Sequence, residues 1–520
     1  MALETARIAD EASKTEVLIV GAGPAGLFAA CELLRHGVRP RIVEQRSAPH
    51  HETRGTGLQP AVLEVLDKAG VIQPFLADSA RIKEVELLGP EQARIGLAQL
   101  AGVGCKYEFQ CSQPQWRTES VLRDHLAGQG LQVEFGVEAT SIKADGDGVT
   151  VTLDKGGRKE VVRADYLIGA GGGHSLTRHS MEQHLDGETY GGRFIVADVR
   201  LTLPVSPGRA RIIVGRSGFV LLALLPESRF LIFVNREEAD QNDGLPSANN
   251  LAALLNTRIG ADVGLSDLRW TSYFQMHKRV VPALSDGRRF LLGDAGHLSS
   301  PMGGEGINSA FMDGANIAWK LALVLRGAAK PSLLDSYAFE RAIADRHVLE
   351  VSNEIHALVM GLVEKCRAGE TLSLPVDDPA EALAGLRKRS MLDVSYKGSL
   401  LTERGAGDAE PAPGARFPGW CGLDGTTHHL VFSGGAPRLD DFRSRWGDLV
   451  SVVQWTDADM LAKQAGLAEG GMVLVRPDGF IGFRRVSADE DAMKALDAHL
   501  STYLHPNFAA AGRSPQHRGV

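Results

Sequence analysis

The sequence has 520 residues, of which 44% are hydrophobic and 23% are charged, and its net charge is −8 with a pI near 6.1. At about 150 residues per domain, this length predicts two to four domains with a large core. Lys and Arg are dispersed, and the short basic cluster at 387–389 is more typical of a solvated helix face than of a nucleic-acid-binding surface.

Five cysteines without a CxxC pair exclude a disulfide framework and a zinc site, and they indicate a reducing compartment. The polar, acidic N-terminal stretch is unlike a signal peptide. The most apolar window, residues 211–234, is interrupted by charged residues and Pro226, so it predicts paired strands and not a membrane span. We therefore expect a cytoplasmic protein.

The first chemical motif is the stretch GAGPAGLF near the N-terminus. A predicted strand over Val17–Val20 leads into Gly21, Gly23 and Gly26, a helical pattern follows, and a second strand ends on Glu44. Glycines at this spacing let backbone N–H groups approach a pyrophosphate at the positive end of the helix. An acid about 20 residues further on accepts hydrogen bonds from a ribose diol, which favours FAD or NAD over NADP.

The second motif, LLGDAGHLSSPMGGEGINSAF, occupies residues 291–311. Asp294 ends a predicted strand, where its carboxylate suits ribityl hydroxyls. Gly303, Gly304 and Gly306 leave bare backbone for a flat ring, and the next helix aims its N–H groups at the flavin edge that becomes negative on reduction. A second contact loop so late in the chain suits FAD, because FAD carries a ribityl chain and a broad ring far from its adenosine.

These motifs resemble the FAD-dependent aromatic hydroxylases of the para-hydroxybenzoate hydroxylase type, the class A flavoprotein monooxygenases. Three further stretches carry the resemblance, which covers nearly the whole chain. They are RGTGLQPAVLEVLDKAGV with Arg54 and Leu58, PQWRTESVL with Gln115, and LLDSYAFER at 333–341.

The resemblance implies an FAD site and a reaction. NAD(P)H reduces tightly but non-covalently bound FAD, O₂ adds to give a C4a-hydroperoxide, and its distal oxygen passes to an electron-rich phenolic or polyketide-like ring. Pro301, Gly303 and Gly304 are the catalytic positions, because small residues at the flavin face leave room for the peroxide. The implied FAD contacts, with no metal among the expected groups, are Gly21, Gly23, Pro24, Ala25, Gly26, Glu44, Gln45, Arg46, Arg54, Leu58, Gln115, Val137, Asp294, Pro301, Gly304, Gly306, Ile307 and Asn308.

The expected fold class is α/β, with three domains. Residues 1–180 and 281–402 are expected to form a discontinuous Rossmann-like FAD-binding domain with a parallel sheet, and 181–280 a β-sheet substrate domain. A Gly/Pro-rich linker at 403–419 leads to a thioredoxin-like C-terminal domain at 420–520, in which Cys421 is alone and cannot form a redox dithiol.

The substrate side of the site is less defined. Candidate polar groups in the pocket are Tyr190, Arg193, Tyr273, Gln275 and His277, although His277 is equally suited to a structural place in a sheet, and we expect His297 to be structural. The partner is expected to be a small aromatic molecule, with no nucleic acid or membrane, and a homodimer is compatible with the sequence. Two alternatives remain: a flavin monooxygenase that inactivates an antibiotic, and a flavin-binding module without turnover.

One stretch departs from the family pattern. After the strand ADYLIGA, the family carries an Asp-Gly pair whose Asp lies close to the FAD and the nicotinamide, but this chain has Gly171 and Gly172. Either His174, Arg178 or water replaces the carboxylate and reduction is normal, or reduction by NAD(P)H is slow or depends on bound substrate.

Overall fold

The computed structural model describes residues 12–509 apart from 54, 190–193, 204, 236–245, 276, 300–302, 375–377, 404–409, 434–437, 456–464 and 468–470. Its helices are α1 (Pro24–Arg35), α2 (Pro60–Lys68), α3 (Ile72–Asp78), α4 (Gln115–Gly128), α5 (Leu176–Ser180), α6 (Ala248–Ile259), α7 (Gly306–Leu325), α8 (Asp335–Ala368), α9 (Pro379–Arg389), α10 (Asp440–Trp446) and α11 (Glu490–Ser501).

The strands follow the same order along the chain. They are β1 (Ser13–Val20), β2 (Arg41–Glu44), β3 (Gly57–Leu58), β4 (Ala80–Ile82), β5 (Glu84–Leu88), β6 (Arg94–Gln99), β7 (Gln110–Ser112), β8 (Glu134–Phe135), β9 (Glu138–Ala144), β10 (Val149–Lys155), β11 (Arg158–Gly169), β12 (Asp186–Thr189), β13 (Phe194–Arg200), β14 (Arg209–Gly215), β15 (Gly218–Leu225), β16 (Arg229–Asn235), β17 (Ser266–Phe274), β18 (His277–Val280), β19 (Ser285–Asp286), β20 (Arg289–Leu291), β21 (His297–Leu298), β22 (His428–Ser433), β23 (Val450–Trp455), β24 (Gly471–Val475) and β25 (Ile481–Arg485).

The chain divides into two compact units, 1–315 with 341–393, and 316–340 with 394–520. The first unit contains the parallel sheet that the glycine motif predicts, in the order β20–β11–β1–β2–β8 with parallel neighbours. Strand β1 is apolar and buried at Val17, Leu18 and Ile19, as expected for a central strand covered on both faces. The prediction of an α/β fold with a parallel sheet is confirmed.

The register of this sheet brings three loops to one edge. Val20 of β1 pairs with Gly169 of β11, and Gly169 pairs with Leu291 of β20. The loops that begin at 21, 170 and 292 therefore leave the sheet side by side at its carboxyl edge. Ligands of open α/β sheets bind at this edge, so the register assembles one site from residues far apart in sequence.

The first unit also contains a seven-stranded sheet in the order β17–β13–β16–β15–β14–β5–β6, antiparallel except where β14 meets β5. The apolar window at 211–234 forms β14, β15 and β16, which are paired strands as predicted. The sheet takes two of its strands, β5 and β6, from the segment 84–99, in addition to those between 194 and 274. Among the described residues, no helix has the length and apolar character needed to span a membrane.

The second unit holds the sheet β23–β22–β24–β25, in which β22 and β23 are parallel and the other neighbours antiparallel. The order and directions of these four strands fit the expected thioredoxin-like domain, whose bounds at 420–520 stay a prediction. Its core contains a buried ionic network in which Arg476 donates to Glu340 at 2.6 and 2.8 Å, and Lys320 donates to Glu340 at 2.7 Å. Arg476 also pairs with Asp478, so two buried carboxylates balance the two buried cations. The network therefore fixes the packing of the α7 and α8 segments that belong to this unit.

Candidate active site

The loop between β1 and α1 has the shape that a pyrophosphate needs. Gly21 has φ +109°, and a Cβ placed on it would lie 2.3 Å from the carbonyl oxygen of Ala170. A Cβ on Gly26 would lie 2.0 Å from the Gly21 oxygen, so both positions require glycine. A Cβ on Gly23 meets nothing within 4 Å. The space over Gly23 is therefore open just where α1 begins at Pro24, and an anion can approach the helix N-terminus there.

Glu44 ends β2 beside this loop and is 5% exposed. Its carboxylate accepts hydrogen bonds from the backbone N–H groups of Ala22 at 2.9 Å and Arg46 at 3.0 Å. Burial by itself would raise the pKa of Glu44, but these bonds and the Arg46 guanidinium lower it below its usual value. Glu44 is therefore an oriented carboxylate with lone pairs left for a ribose diol. Gln45 is exposed, and Val137 donates its backbone N–H to the Glu44 carbonyl at 3.0 Å.

The predicted ribityl turn lies at the end of β20, where the chain forms a short 3₁₀ turn over Gly293–Ala295. Gly293 has φ +56°, and a Cβ on it would approach the side chains of Ala25 and Ala310 at 3.2 and 3.1 Å. The turn thus lies against the first turns of α1 and α7. Asp294 is exposed, so its carboxylate is accessible to a ligand at the sheet edge.

Asn308, in the first turn of α7, joins the glycine-rich flavin loop to β3. It is fully buried, and its side-chain oxygen accepts from the backbone N–H of Gln59 at 2.8 Å. Its amide nitrogen donates to the carbonyls of Gly57 at 2.8 Å and Gly304 at 2.6 Å. The side chain of Asn308 therefore bonds both to the flavin loop and to the residues of and after β3. These bonds hold the loop and the buried Leu58 of β3 next to each other.

The flavin loop itself carries little side-chain bulk at the described positions. Gly304 has φ +66° and open space where a Cβ would stand. A Cβ on Gly303 would lie 2.9 Å from Cγ of Glu305, and one on Gly306 would lie 3.3 Å from the Ser299 hydroxyl. Bare backbone at these positions suits a flat ring. Pro301, which was predicted as a catalytic and FAD-contacting residue, lies outside the described residues.

Gln115, the first residue of α4, faces this loop. Its amide nitrogen donates to the buried carboxylate of Glu119 at 2.9 Å, which fixes the direction of the side chain. Its oxygen and the Ile307 side chain lie 3.7 and 3.6 Å from the position of a Cβ on Gly55. The structure therefore brings the predicted Gln115 and Ile307 to the same segment, which precedes β3. Arg54, at the neighbouring position, lies outside the described residues.

A buried charged cluster that the sequence did not predict holds the ribityl turn from behind. Asp313 accepts from the Gly293 backbone N–H at 2.8 Å, from His297 at 2.9 Å and from Arg341 at 2.6 Å. Asp345 lies 3.5 Å from the same His297 nitrogen. Burial alone would lower the pKa of His297, but Asp345 and Asp313 outweigh it and raise the pKa to about 9.

These contacts indicate that the cluster of His297, Asp313, Arg341 and Asp345 has a structural role. One histidine and two carboxylates at such distances resemble a metal-ligand set, but the Arg341 guanidinium and the protonated His297 already supply two positive charges. The cluster joins α7 and the start of the first-unit segment of α8 to the ribityl turn. His297 thus occupies the kind of structural place that we expected.

The turn after β11 lies at the same carboxyl edge of the parallel sheet as the ribityl turn. Arg178 is 5% exposed and donates to the carbonyls of Gly173 at 2.7 Å and Ala295 at 3.2 Å, so it ties this turn to the ribityl turn. Gly171 is exposed with φ −78°, and a Cβ on it would meet its nearest neighbour at 3.5 Å. Gly171 is therefore a position that accepts a side chain, whereas Gly172, with φ +70°, favours glycine.

The predicted pocket residues are described only in part. Tyr190 and Arg193 lie outside the described residues, Tyr273 is partly buried against the core on one face of the large sheet, and Gln275 is exposed. His277 pairs β18 with β12 and forms a 3.0 Å hydrogen bond with Thr189.

The opposite face of the large sheet is aromatic. Phe194 and Phe233 stack with ring centroids 5.0 Å apart, and Phe274 meets Phe233 edge-on at 6.4 Å. Side chains of the first-unit part of α8, including Val359 and Leu362, pack on this face. The sequence alternation predicted the strands but not which face is rich in phenylalanine.

Comparison with known proteins agrees with this geometry. Residues 14–352 match the family model described as an FAD binding domain, and residues 423–506 match that of the aromatic-ring hydroxylase C-terminal domain. The chain belongs to the FAD-dependent aromatic-ring monooxygenases. The fold, the cofactor and the class of reaction expected from the sequence are thereby confirmed.

Three relatives of this monooxygenase illustrate the match. The 6-methylpretetramide 4-monooxygenase of Streptomyces rimosus is 32% identical, with 96% of each chain covered, and a flavin-dependent monooxygenase of Mycobacteroides abscessus is 31% identical over 90% of this chain and 96% of its own. A solved ternary complex of aklavinone-11 hydroxylase with FAD and aklavinone superposes with a TM-score of 0.78 at 25% identity, covering 94% of this chain and 98% of that one.

Proposed function

We propose that this monooxygenase hydroxylates a phenolic, polyketide-like aromatic ring, with FAD held along the carboxyl edge of the parallel sheet. The observation that carries the proposal is the placement of two sets of groups on this edge. Gly23 and Glu44 suit the pyrophosphate and ribose, whereas Asp294 and Gly304 suit the ribityl chain and the ring, and the buried Asn308 holds the loop behind them.

FAD, when bound, supplies the acceptor for the hydride of NAD(P)H and the centre at which O₂ is activated. The protein's own groups bind and orient. The oriented Glu44 carboxylate would accept hydrogen bonds from the ribose, and the exposed Asp294 carboxylate would accept them from the ribityl hydroxyls. The N-terminus of α7 places unpaired backbone N–H groups near the ring edge, where they favour negative charge.

The substrate class is supported by the relatives and not by the phenylalanine-rich face of the large sheet, because side chains of α8 cover that face. Two of the relatives above are named for 6-methylpretetramide and aklavinone, so a polyketide-like phenol is the first class to test.

Two finer expectations belong to the same proposal. We propose that the enzyme acts in the cytoplasm, because all five of its cysteines are thiols and suit a reducing compartment. We also propose a homodimer, which sedimentation or mass photometry of the purified holoenzyme will test.

The experiment is purification followed by assays with NADH and NADPH. The protein is expected to be yellow, and its oxidation of one or both nucleotides should accelerate with phenols from a panel that includes polycyclic polyketides. Hydroxylated product should form in parallel, with hydrogen peroxide measured to quantify uncoupling. A colourless protein that cannot be reconstituted with FAD would contradict the proposal and favour a module without turnover.

A further inference from the structure

Glu305 is a buried acid directly behind the flavin loop, and no step of the proposed reaction uses it. It stands between Gly304 and Gly306, the first residue of α7, and is 1% exposed. One carboxyl oxygen accepts from the side-chain amide of Gln59 at 3.3 Å. The other oxygen is buried and has no hydrogen-bond partner among the described residues.

The surroundings of Glu305 are polar but poor in charge. Gln59, from the β3–α2 junction, also donates to the Gly303 carbonyl at 3.4 Å, so it links the acid to the loop. From α8, the Ser352 hydroxyl is buried near Gly303 and likewise has no hydrogen-bond partner among the described groups. From α9, the terminal Arg389 supplies the positive charge that acts on Glu305, and that arginine also interacts with Glu354 of α8.

This environment decides the protonation state of the acid. Burial raises the pKa of Glu305 well above its usual value, and the attraction of Arg389 opposes this shift without cancelling it. A buried carboxylate with one unpartnered oxygen is costly, whereas a neutral acid is not. Burial therefore favours the protonated carboxylic acid of Glu305 over its carboxylate.

Because Glu305 lies beside the N-terminus of α7, its protonation state affects the bound flavin. Helix α7 begins at the next residue, and its positive end serves the flavin edge that becomes negative on reduction. A carboxylate at this point would compensate the positive helix end and would repel the reduced flavin, because like charges repel strongly where water is excluded. A neutral acid leaves the positive end of the helix uncompensated.

We propose that Glu305 is a positioning residue that sets the reduction potential of the bound flavin, by holding the flavin loop through Gln59 while remaining uncharged. This inference rests on the proposed FAD site. It predicts that ionisation of Glu305 disfavours the reduced cofactor and thus lowers its potential.

The test is the midpoint potential of the holoenzyme, measured from about pH 6 to about pH 10. The three proteins are wild type, E305Q, which is isosteric and permanently neutral, and E364Q. Glu364 is an exposed acid on α8 that pairs with Arg367 at 2.7 Å, so E364Q controls for loss of a carboxylate from the same helix.

Wild type and E305Q should have the same potential at the acidic end. With rising pH, the wild-type potential should fall below that of E305Q, while E364Q follows wild type. If ionised Glu305 weakens the reduced state about tenfold, the separation is about 30 mV for a two-electron couple. Parallel curves, or an offset already present at the acidic end, would overturn the proposal.

A second measurement tests the ionisation without flavin. A carboxyl whose folded-state pKa is raised loses stability as pH rises from the unfolded value of 4.5 towards the folded one. The melting temperature of the apoprotein, relative to E305Q, should therefore fall over this window. An unchanged difference would contradict the neutral acid. Failure to bind FAD would instead contradict the proposed function, so the two failures are distinguishable.

Discussion

The side-chain oxygen of Asn308 accepts a hydrogen bond of 2.8 Å from the backbone N–H of Gln59, which lies 249 positions earlier in the chain. The same side chain donates to Gly57 and Gly304, so one buried amide joins the flavin loop to β3. An amide is required, because the site needs an acceptor on one side and two donors on the other.

Asn308→Asp tests this requirement. The carboxylate can still accept from Gln59, but it faces two carbonyl oxygens without a proton to donate, so buried acceptors lose their partners. At about 1–3 kcal/mol for each unsatisfied group, we expect FAD affinity to fall at least tenfold and the melting temperature to drop. Calorimetric FAD titration and thermal unfolding measure both. FAD affinity equal to wild type would show that the amide does not hold the loop.

Asp294→Ala is expected to weaken FAD binding while the fold remains intact. Asp294 is exposed at the end of β20, so its loss costs little packing, but each hydrogen bond to a charged group is worth about 1.5–3 kcal/mol. Flavin occupancy after purification and the FAD dissociation constant measure the effect.

Asp286→Ala is the matched control for this variant. Asp286 is also exposed, and it lies at the other end of the same β-hairpin, on β19. It should leave FAD binding unchanged. Full flavin occupancy in Asp294→Ala, or equal losses in the two variants, would refute the ribityl assignment.

Local patterns in the sequence predicted the parts of the site that depend on neighbouring residues. Gly21, Gly26 and Gly293 are recognisable because a turn or close approach requires glycine within a short motif. The parallel strands were predictable because short apolar segments alternate along the chain with segments whose apolar residues have helical spacing.

Contacts set by tertiary packing were not predictable. Nothing in the sequence near Gly293 indicates that Asp313 caps its N–H, or that Arg341 and Asp345 complete the cluster. The contribution of β5 and β6 to the large sheet likewise depends on a pairing between segments more than a hundred residues apart, such as Glu84 with Arg209.

The His297 cluster predicts how stability depends on pH. His297 has a folded-state pKa of about 9, above its usual 6.5, so its charge stabilises the fold fully below 6.5 and this contribution is lost as pH rises through about 9. The melting temperature should therefore decline over this window.

His297→Gln should be less stable at neutral pH but lack that decline, because glutamine does not titrate. Circular dichroism melts at a series of pH values measure both slopes. The same decline in wild type and variant would place the titrating group elsewhere.

Gly171→Asp tests the departure at the turn after β11. The backbone there, with φ −78° and no neighbour closer than 3.5 Å to a Cβ, accepts the side chain. If the missing carboxylate limits nicotinamide docking, stopped-flow reduction of the bound FAD should be several-fold faster in the variant. An unchanged or slower rate, with wild type already reduced rapidly, would show that Arg178 and the rest of the turn suffice.

The most direct test of the central claim is incorporation of oxygen from isotopically labelled O₂ into an aromatic product by the purified, FAD-loaded enzyme with NADH or NADPH. We expect one labelled oxygen atom per hydroxylated phenol, with nucleotide oxidation that depends on the substrate. Unlabelled product, or nucleotide oxidation that yields only hydrogen peroxide with every phenol in the panel, would contradict the account.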